Sequence, residues 1–240
     1  MSLPHAEGGS GATGAPSLVH LVRPPAPDAL PAGTRPPLLI LLHGVGSNER
    51  SMASLAPAMD PRFLVISARS PIALGPDSFA WFHVTFTPQG PRIDAREAAA
   101  GWAHVARFVD EAVAAYGADA DRVYLAGFSQ GAIVALATML MAPAKLAGAV
   151  AMSGRLLPEV LPHAAPAEAL RGKPVLIVHG TADDKLGLHF ARSARERLSQ
   201  FPIALTYHEL PIGHGITAES LAEVTAWLSA RLDWPAPRPS

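Results

Sequence analysis

The chain has 240 residues, 49% of them hydrophobic and 16% charged, which is the composition of a folded globular protein and not of a disordered one. Its formal net charge is −1 and no basic block occurs, which excludes an electrostatic footprint for nucleic acid or an anionic membrane. Cysteine is absent, so disulfides, cysteine-ligated metals and a cysteine nucleophile are excluded together.

Residues 1–16 are rich in Gly, Ala, Ser and Pro and are expected to be mobile, with no basic head or apolar core of a secretory signal. Ser17 to Arg23 suits an edge strand, and a proline-rich loop follows. Leu38-Leu39-Ile40-Leu41-Leu42 is an unbroken apolar run of strand length, as a strand buried on both faces requires. It leads into His43-Gly44-Val45-Gly46. A second such strand is predicted at Phe63 to Ser67, then a loop containing Trp81-Phe82. Between Asp94 and Tyr116, Trp102, Val105, Val109 and Ala112 recur at helical steps, with Arg107 and Glu111 able to pair on the outer face. Gly117 stops that helix.

The next stretch is the most informative. Val123-Tyr124-Leu125-Ala126 reads as a strand, Gly127-Phe128-Ser129-Gln130-Gly131 as a tight turn, and Ala132 to Leu140 as a buried helix. Strand, G-x-S-x-G, helix is the arrangement of a nucleophile elbow, in which a serine stands clear of its strand at the N-terminus of a helix. Residues 123–144 carry no charge and are long enough to span a bilayer, but the polar turn inside them favours a buried strand and helix. Further strands are predicted at Leu146 to Met152, Val175 to Val178 and Ile203 to Leu210. Helices are predicted at Leu188 to Ser199 and Ala218 to Leu232, and a loop at Leu156 to Pro174. Alternating apolar strands and helices call for a mostly parallel central sheet with helices on both faces, whose site lies at the carboxyl ends of the strands. Three of the strands end in reactive groups: His43-Gly44, Ser129 and His179-Gly180-Thr181-Ala182-Asp183.

A serine nucleophile needs a base held by a carboxylate. In the order serine, acid, histidine, the bases available are His189, His208 and His214. His189 falls in a helix and His208 in a strand. His214 lies in a glycine-flanked loop, where it can reach the serine. Asp183 and Asp184 are the leading acids, with Glu159 and Glu168 weaker. Backbone N–H donors for an oxyanion are expected from Val45 and Gln130. His43 and His179 suit structural hydrogen bonding. His208-Glu209 with His214 is not a metal motif, and no dinucleotide fingerprint follows a strand, so neither a metal nor a cofactor is expected.

Assembled, these residues resemble the phospholipase/carboxylesterase family of α/β-hydrolases, which includes carboxylesterases and acyl-protein thioesterases. The resemblance runs from about Leu38 to Leu232. It rests on Leu42-His43-Gly44-Val45-Gly46-Ser47-Asn48, Trp81-Phe82, Gly127-Phe128-Ser129-Gln130-Gly131, Ser153-Gly154, His179-Gly180-x-x-Asp183 and Gly213-His214. It implies a single α/β-hydrolase domain over 17–232 with a proline-rich tail at 233–240, and the acid on Asp183 instead of Asp184. It also implies cofactor-free hydrolysis of small carboxylic esters through an acyl-serine, or of thioesters or lysophospholipids by the same machinery. A non-enzymatic ligand receptor on the same fold is disfavoured, because all three triad residues are present. Trp81 and Phe82 either line the acyl pocket or pack in the core. The sequence departs from the family where Asp184-Lys185-Leu186-Gly187 follows the acid, where His83 follows Trp81-Phe82, and where Ala132 follows Gly131. The partner expected is a small-molecule ester, with no nucleic acid and no stable membrane insertion. A homodimer is left open, and the location expected is cytoplasmic.

Overall fold

The computed structural model describes residues 15–87 and 90–233. Most of the predicted mobile N-terminus and all but Asp233 of the predicted tail therefore lie outside the described residues. In chain order the elements are β1 (His20–Arg23), β2 (Pro37–Leu42), α1 (Glu49–Ala53), β3 (Leu64–Ala68), β4 (Ile72–Gly75), β5 (Ser78–Ala80), β6 (Val84–Thr87), β7 (Gly90–Ile93), α2 (Ala95–Tyr116), β8 (Asp119–Phe128), α3 (Gln130–Met141), β9 (Gly148–Met152), α4 (Ala167–Leu170), β10 (Pro174–Gly180), α5 (Leu188–Leu198), β11 (Ala204–Leu210) and α6 (Ala218–Leu232).

Seven strands form one sheet in the order β1-β3-β2-β8-β9-β10-β11. Only β1 runs antiparallel, against β3; the other pairs are parallel. The apolar run of β2 explains why the sheet sits at the centre. Its side chains alternate between faces. Leu38, Ile40 and Leu42 pack with Trp102, Val105 and Val109 of α2 and with α3. Leu39 and Leu41 pack on the opposite face with Met52 of α1 and Val224, Trp227 and Leu228 of α6. Every residue of β2 is buried, as are eleven of the twelve positions of α3, from Gln130 to Leu140. Such a helix has no polar face, which is why its stretch reads as long enough to span a membrane. Among the described residues, no helix is long and apolar enough to cross one.

The amphipathic helix behaves as its pattern predicts. Asp94 caps α2 by accepting from the Arg96 and Glu97 amides, Gly117 ends it in the left-handed region at φ 60°, and Arg107 and Glu111 pair at 3.3 Å. Sequence reasoning missed the segment between β3 and α2. It holds two small hairpins, β4 with β5 and β6 with β7, that lie outside the main sheet. Their residues show no sustained alternation, so no strand signal marked them. The loop predicted at Leu156 to Pro174 contains a 3-10 turn at Pro158–His163 and the short α4.

Candidate active site

The loops that follow β2, β8, β10 and β11 meet at the carboxyl ends of the sheet. Ser129 sits between β8 and α3 at φ 54°, ψ −114°, a conformation that a non-glycine residue adopts only under strain. The surroundings enforce it. A Cβ on Gly127 would lie 2.2 Å from the Gly131 backbone, and one on Gly131 would lie 2.1 Å from the Leu42 carbonyl oxygen. Strand and helix can therefore cross only as glycines. The Ser129 N–H donates to Met152 O at 2.9 Å, tying the turn to the neighbouring strand.

His214, in the loop between β11 and α6, places Nε2 3.0 Å from Ser129 Oγ and Nδ1 2.8 Å from Asp183 Oδ2. The Lys185 and Leu186 amides donate to the other carboxylate oxygen of Asp183 at 3.0 and 2.8 Å. The acid is thereby fixed by backbone, and its side chain is fully buried. The loop carrying His214 is fixed as well. Thr181 N donates to Leu210 O and Ala182 N to Ile212 O, and a Cβ on Gly180 would strike Ile212 O at 2.2 Å. The Phe128 ring packs beside the imidazole at 5.0 Å between centroids. Asp184, by contrast, has a side chain 72% exposed and pairs with Lys185 at 3.4 Å. His208 pairs with Glu223, Glu168 with Arg171, and His189 lies on α5, so none of them joins the cluster.

His43 and His179 are structural. His43 is completely buried; Nδ1–H donates to its neighbour's carbonyl, Gly44 O, at 2.8 Å, and Nε2 accepts the Ser70 N–H at 3.0 Å. The amide donor at Nε2 fixes that tautomer, and burial holds the imidazole below its ordinary pKa. His179 Nε2 donates to Leu186 O at 2.7 Å and is likewise held neutral by burial. One braces the loop after β2, the other the loop carrying Asp183.

Val45 and Gln130 both line the cavity beside Ser129. Gln130 is the first residue of α3, so its N–H has no intrahelical acceptor. Gly46, at φ 80°, donates to Phe79 O at 2.9 Å and pins the turn that presents Val45. A Cβ on Gly44 would come within 3.2 Å of Ser129 Cβ, so the loop approaches the elbow this closely because glycine stands there.

The predicted aromatic pair divides. Phe82 lines the cavity, whereas Trp81 does not. Trp81 is 1% exposed, and its indole N–H donates to His43 O at 3.0 Å. Its placement at the pocket is thus corrected: it packs in the core and supports the loop beneath. Sequence reasoning missed what orders this pair. The buried Gln130 side chain accepts from Trp81 N–H at 2.8 Å and donates to Phe82 O at 2.6 Å, clamping both to the elbow. His83 takes Glu97 of α2, with its backbone N–H and Nδ1 each 2.7 Å from that carboxylate.

The cavity measures about 580 Å³. Its wall is largely apolar, from Met52, Leu55, Val84, Pro91, Ile93, Ile133 and Ile216, with Arg155 and Lys185 as its charged members. A hydroxyl hydrogen-bonded to an imidazole that is oriented by a buried carboxylate, in such a cavity, can attack a carbonyl carbon. Among the described residues no cluster of histidines and carboxylates could hold a metal ion.

This sheet order, elbow and site define an α/β-hydrolase. The phospholipase/carboxylesterase family model matches residues 30–232, and the chain belongs to that family. It is an esterase-type hydrolase. A probable carboxylesterase of Oryza sativa subsp. japonica is 30% identical over 209 residues, covering 81% of this chain and 88% of its own. Acyl-protein thioesterase 1 of Eremothecium gossypii is 28% identical over 218 residues, 84% and 91% of the two chains. Among solved structures, esterase PE8 superposes with a TM-score of 0.76 at 26% identity, covering 89% of this chain and 98% of its own. The carboxylesterase from Mesorhizobium loti reaches 0.70 at 30% identity, covering 80% and 88%.

Proposed function

We propose that the protein hydrolyses carboxylic esters with Ser129 as nucleophile, His214 as general base and acid, and Asp183 as the carboxylate that orients the imidazole. The observation that carries this reading is the continuous chain of contacts from Ser129 Oγ through His214 to Asp183, at 3.0 and 2.8 Å, opening into the cavity. As Ser129 Oγ bonds to the carbonyl carbon, its proton passes to His214 Nε2, and Asp183 stabilises the imidazolium. The carbonyl oxygen becomes an oxyanion that the Val45 and Gln130 N–H groups receive. Collapse expels the alcohol, which takes the proton from His214 and leaves an acyl-serine. Water then attacks the acyl carbon, its proton going to His214, and the acid departs as Ser129 recovers its proton. The cavity volume and apolar wall suit short to medium acyl groups.

The test is a chromogenic short-chain ester assayed in pre-steady state. A burst equal to the enzyme concentration is expected, with covalent capture by a serine-directed organophosphate. Ser129→Ala should abolish burst and capture, and turnover should fall on the order of 10⁵–10⁶-fold. Wild-type turnover by that variant would end the proposal. A thioester reading is favoured by the acyl-protein thioesterase relatives. Matched oxygen and sulfur esters, compared by kcat/KM, distinguish the two.

A further inference from the structure

Arg155 is the feature of the cavity that ester cleavage does not use. It follows Ser153-Gly154 at the end of β9, and Gly154 is packed directly on the elbow: a Cβ there would meet Ala132 Cβ at 2.5 Å and Ser129 O at 3.4 Å. The guanidinium consequently emerges one residue from the nucleophile's backbone and lines the same cavity as Ser129 and His214. Its neighbours are poor partners. One NH₂ group donates to Pro91 O at 3.4 Å, the Phe190 ring lies 5.4 Å from its central carbon, and Nε is buried with no acceptor. Among the described residues no carboxylate forms an ion pair with it; Glu159 attracts it only from a distance.

Arg23 and Arg231 also bury Nε without a partner, but neither lines the cavity. A guanidinium carries five N–H donors, and desolvating it without a counter-charge is costly. Burial lowers the pKa of Arg155 from the ordinary arginine value, the sign of a charge held away from water. The partly buried Arg69, just after β3, is by contrast engaged by Glu49 through two contacts of 2.6 Å. Lys185, the second cation of the cavity, is matched by Asp184. Of the two cations that line the cavity, Arg155 is the one without a carboxylate partner among the described residues. Its planar fork matches a carboxylate with two parallel hydrogen bonds.

We propose that Arg155 is a specificity-determining residue that binds a carboxylate on the substrate, so that the preferred esters carry an anionic group several atoms from the scissile carbonyl. Monoesters of dicarboxylic acids and acyl esters of hydroxy acids both meet that description. The inference rests on the ester-hydrolase reading, and the experiment separates the two. Hydrolysis is followed by pH-stat for monoethyl succinate, glutarate and adipate against the uncharged ethyl esters of the matching monocarboxylic acids, and for O-butyryl glycolate against its amide. The wild type is expected to favour the anionic member of at least one series by about tenfold or more in kcat/KM, mostly through KM. The series that responds tells whether the carboxylate belongs to the acyl or the alcohol part. In Arg155→Met the ratio of anionic to uncharged kcat/KM should collapse toward one, and Arg155→Lys should restore part of it.

An equal wild-type rate on charged and uncharged esters in every series would overturn the inference while leaving ester hydrolysis intact. So would an Arg155→Met variant that loses both in the same proportion. If Arg155→Met does not fold, the wild-type ratios decide alone. Failure of the parent reading looks different: Ser129→Ala would then hydrolyse the uncharged esters as fast as the wild type.

Discussion

Asp183 and Asp184 are adjacent and chemically identical, yet their surroundings give them different duties. Asp183 has one oxygen on two backbone amides and the other on His214, whereas Asp184 faces solvent. Asp183→Asn keeps the shape but presents an amide where the imidazole N–H needs an acceptor. We expect kcat to fall on the order of 10³–10⁴-fold with little loss of stability. Asp184→Asn should stay within about threefold, since an exposed pair contributes little. Parallel kcat and thermal-melt measurements on both variants check this, and an equal loss in the two would remove the assignment. Gln130 adds a second function to its position: its amide N–H belongs to the expected oxyanion site, while its side chain clamps Trp81 and Phe82.

At the level of elements, reactive groups from four different loops meet because parallel strands deliver all their carboxyl ends to one edge. What tunes the distances is close backbone packing where the loops touch. Gly180 is the clearest case, since the loop after β11 rests on it at a distance no side chain permits. Gly180→Ala must push the Ile212 carbonyl away, and with it His214 two residues on. We expect kcat/KM to fall by about tenfold to a hundredfold, because a displacement near 1 Å at the base costs that much. The fall should exceed the change in substrate binding, measured with a non-hydrolysable amide. Unchanged kcat would mean that the loop is not positioned by this contact. The strained Ser129 is held by the same device on the other side of the crevice, through Gly127 and Gly131.

Across the whole molecule, charge is sparse and used for fastening. Arg62 joins Asp60, before β3, to Asp233 at the end of α6, with contacts of 2.8 and 2.6 Å. Hydrogen bonding to Arg62 holds the Asp60 carboxyl down at about 2, below the value near 3.9 expected in the unfolded chain. A carboxylate whose folded pKa is depressed stabilises the fold above the unfolded pKa, and the stabilisation drains away as pH falls through the folded one. The melting temperature should therefore drop between about pH 4 and 2. In Arg62→Met it should be lower at neutral pH and lose less on acidification. Identical acid profiles would show that this link does not contribute. The contribution is modest, because Asp233 is exposed and the pair is partly screened.

The sequence by itself determined the sheet, the elbow and the candidate groups that the fold brings together. Those features are local. An apolar run five residues long has few alternatives to a buried strand, and glycines spaced around Ser129 mark a crossing that only they permit. The choice of His214 over His189 and His208 was also legible, because helix and strand periodicity removed the other two from loops. The tertiary structure alone decided the rest. The hairpins between β3 and α2 have no periodic signal, and the contacts that fasten them come from elsewhere in the chain, Ser47 to Phe79 and Glu97 of α2 to His83. Trp81 reads like Phe82 in sequence, and only folding turns one inward to His43 and the other to the cavity. An arginine after Ser153-Gly154 is equally unremarkable as a letter. Its meaning comes from the partners it lacks, and a missing partner is a property of the surrounding space, set by residues far away along the chain.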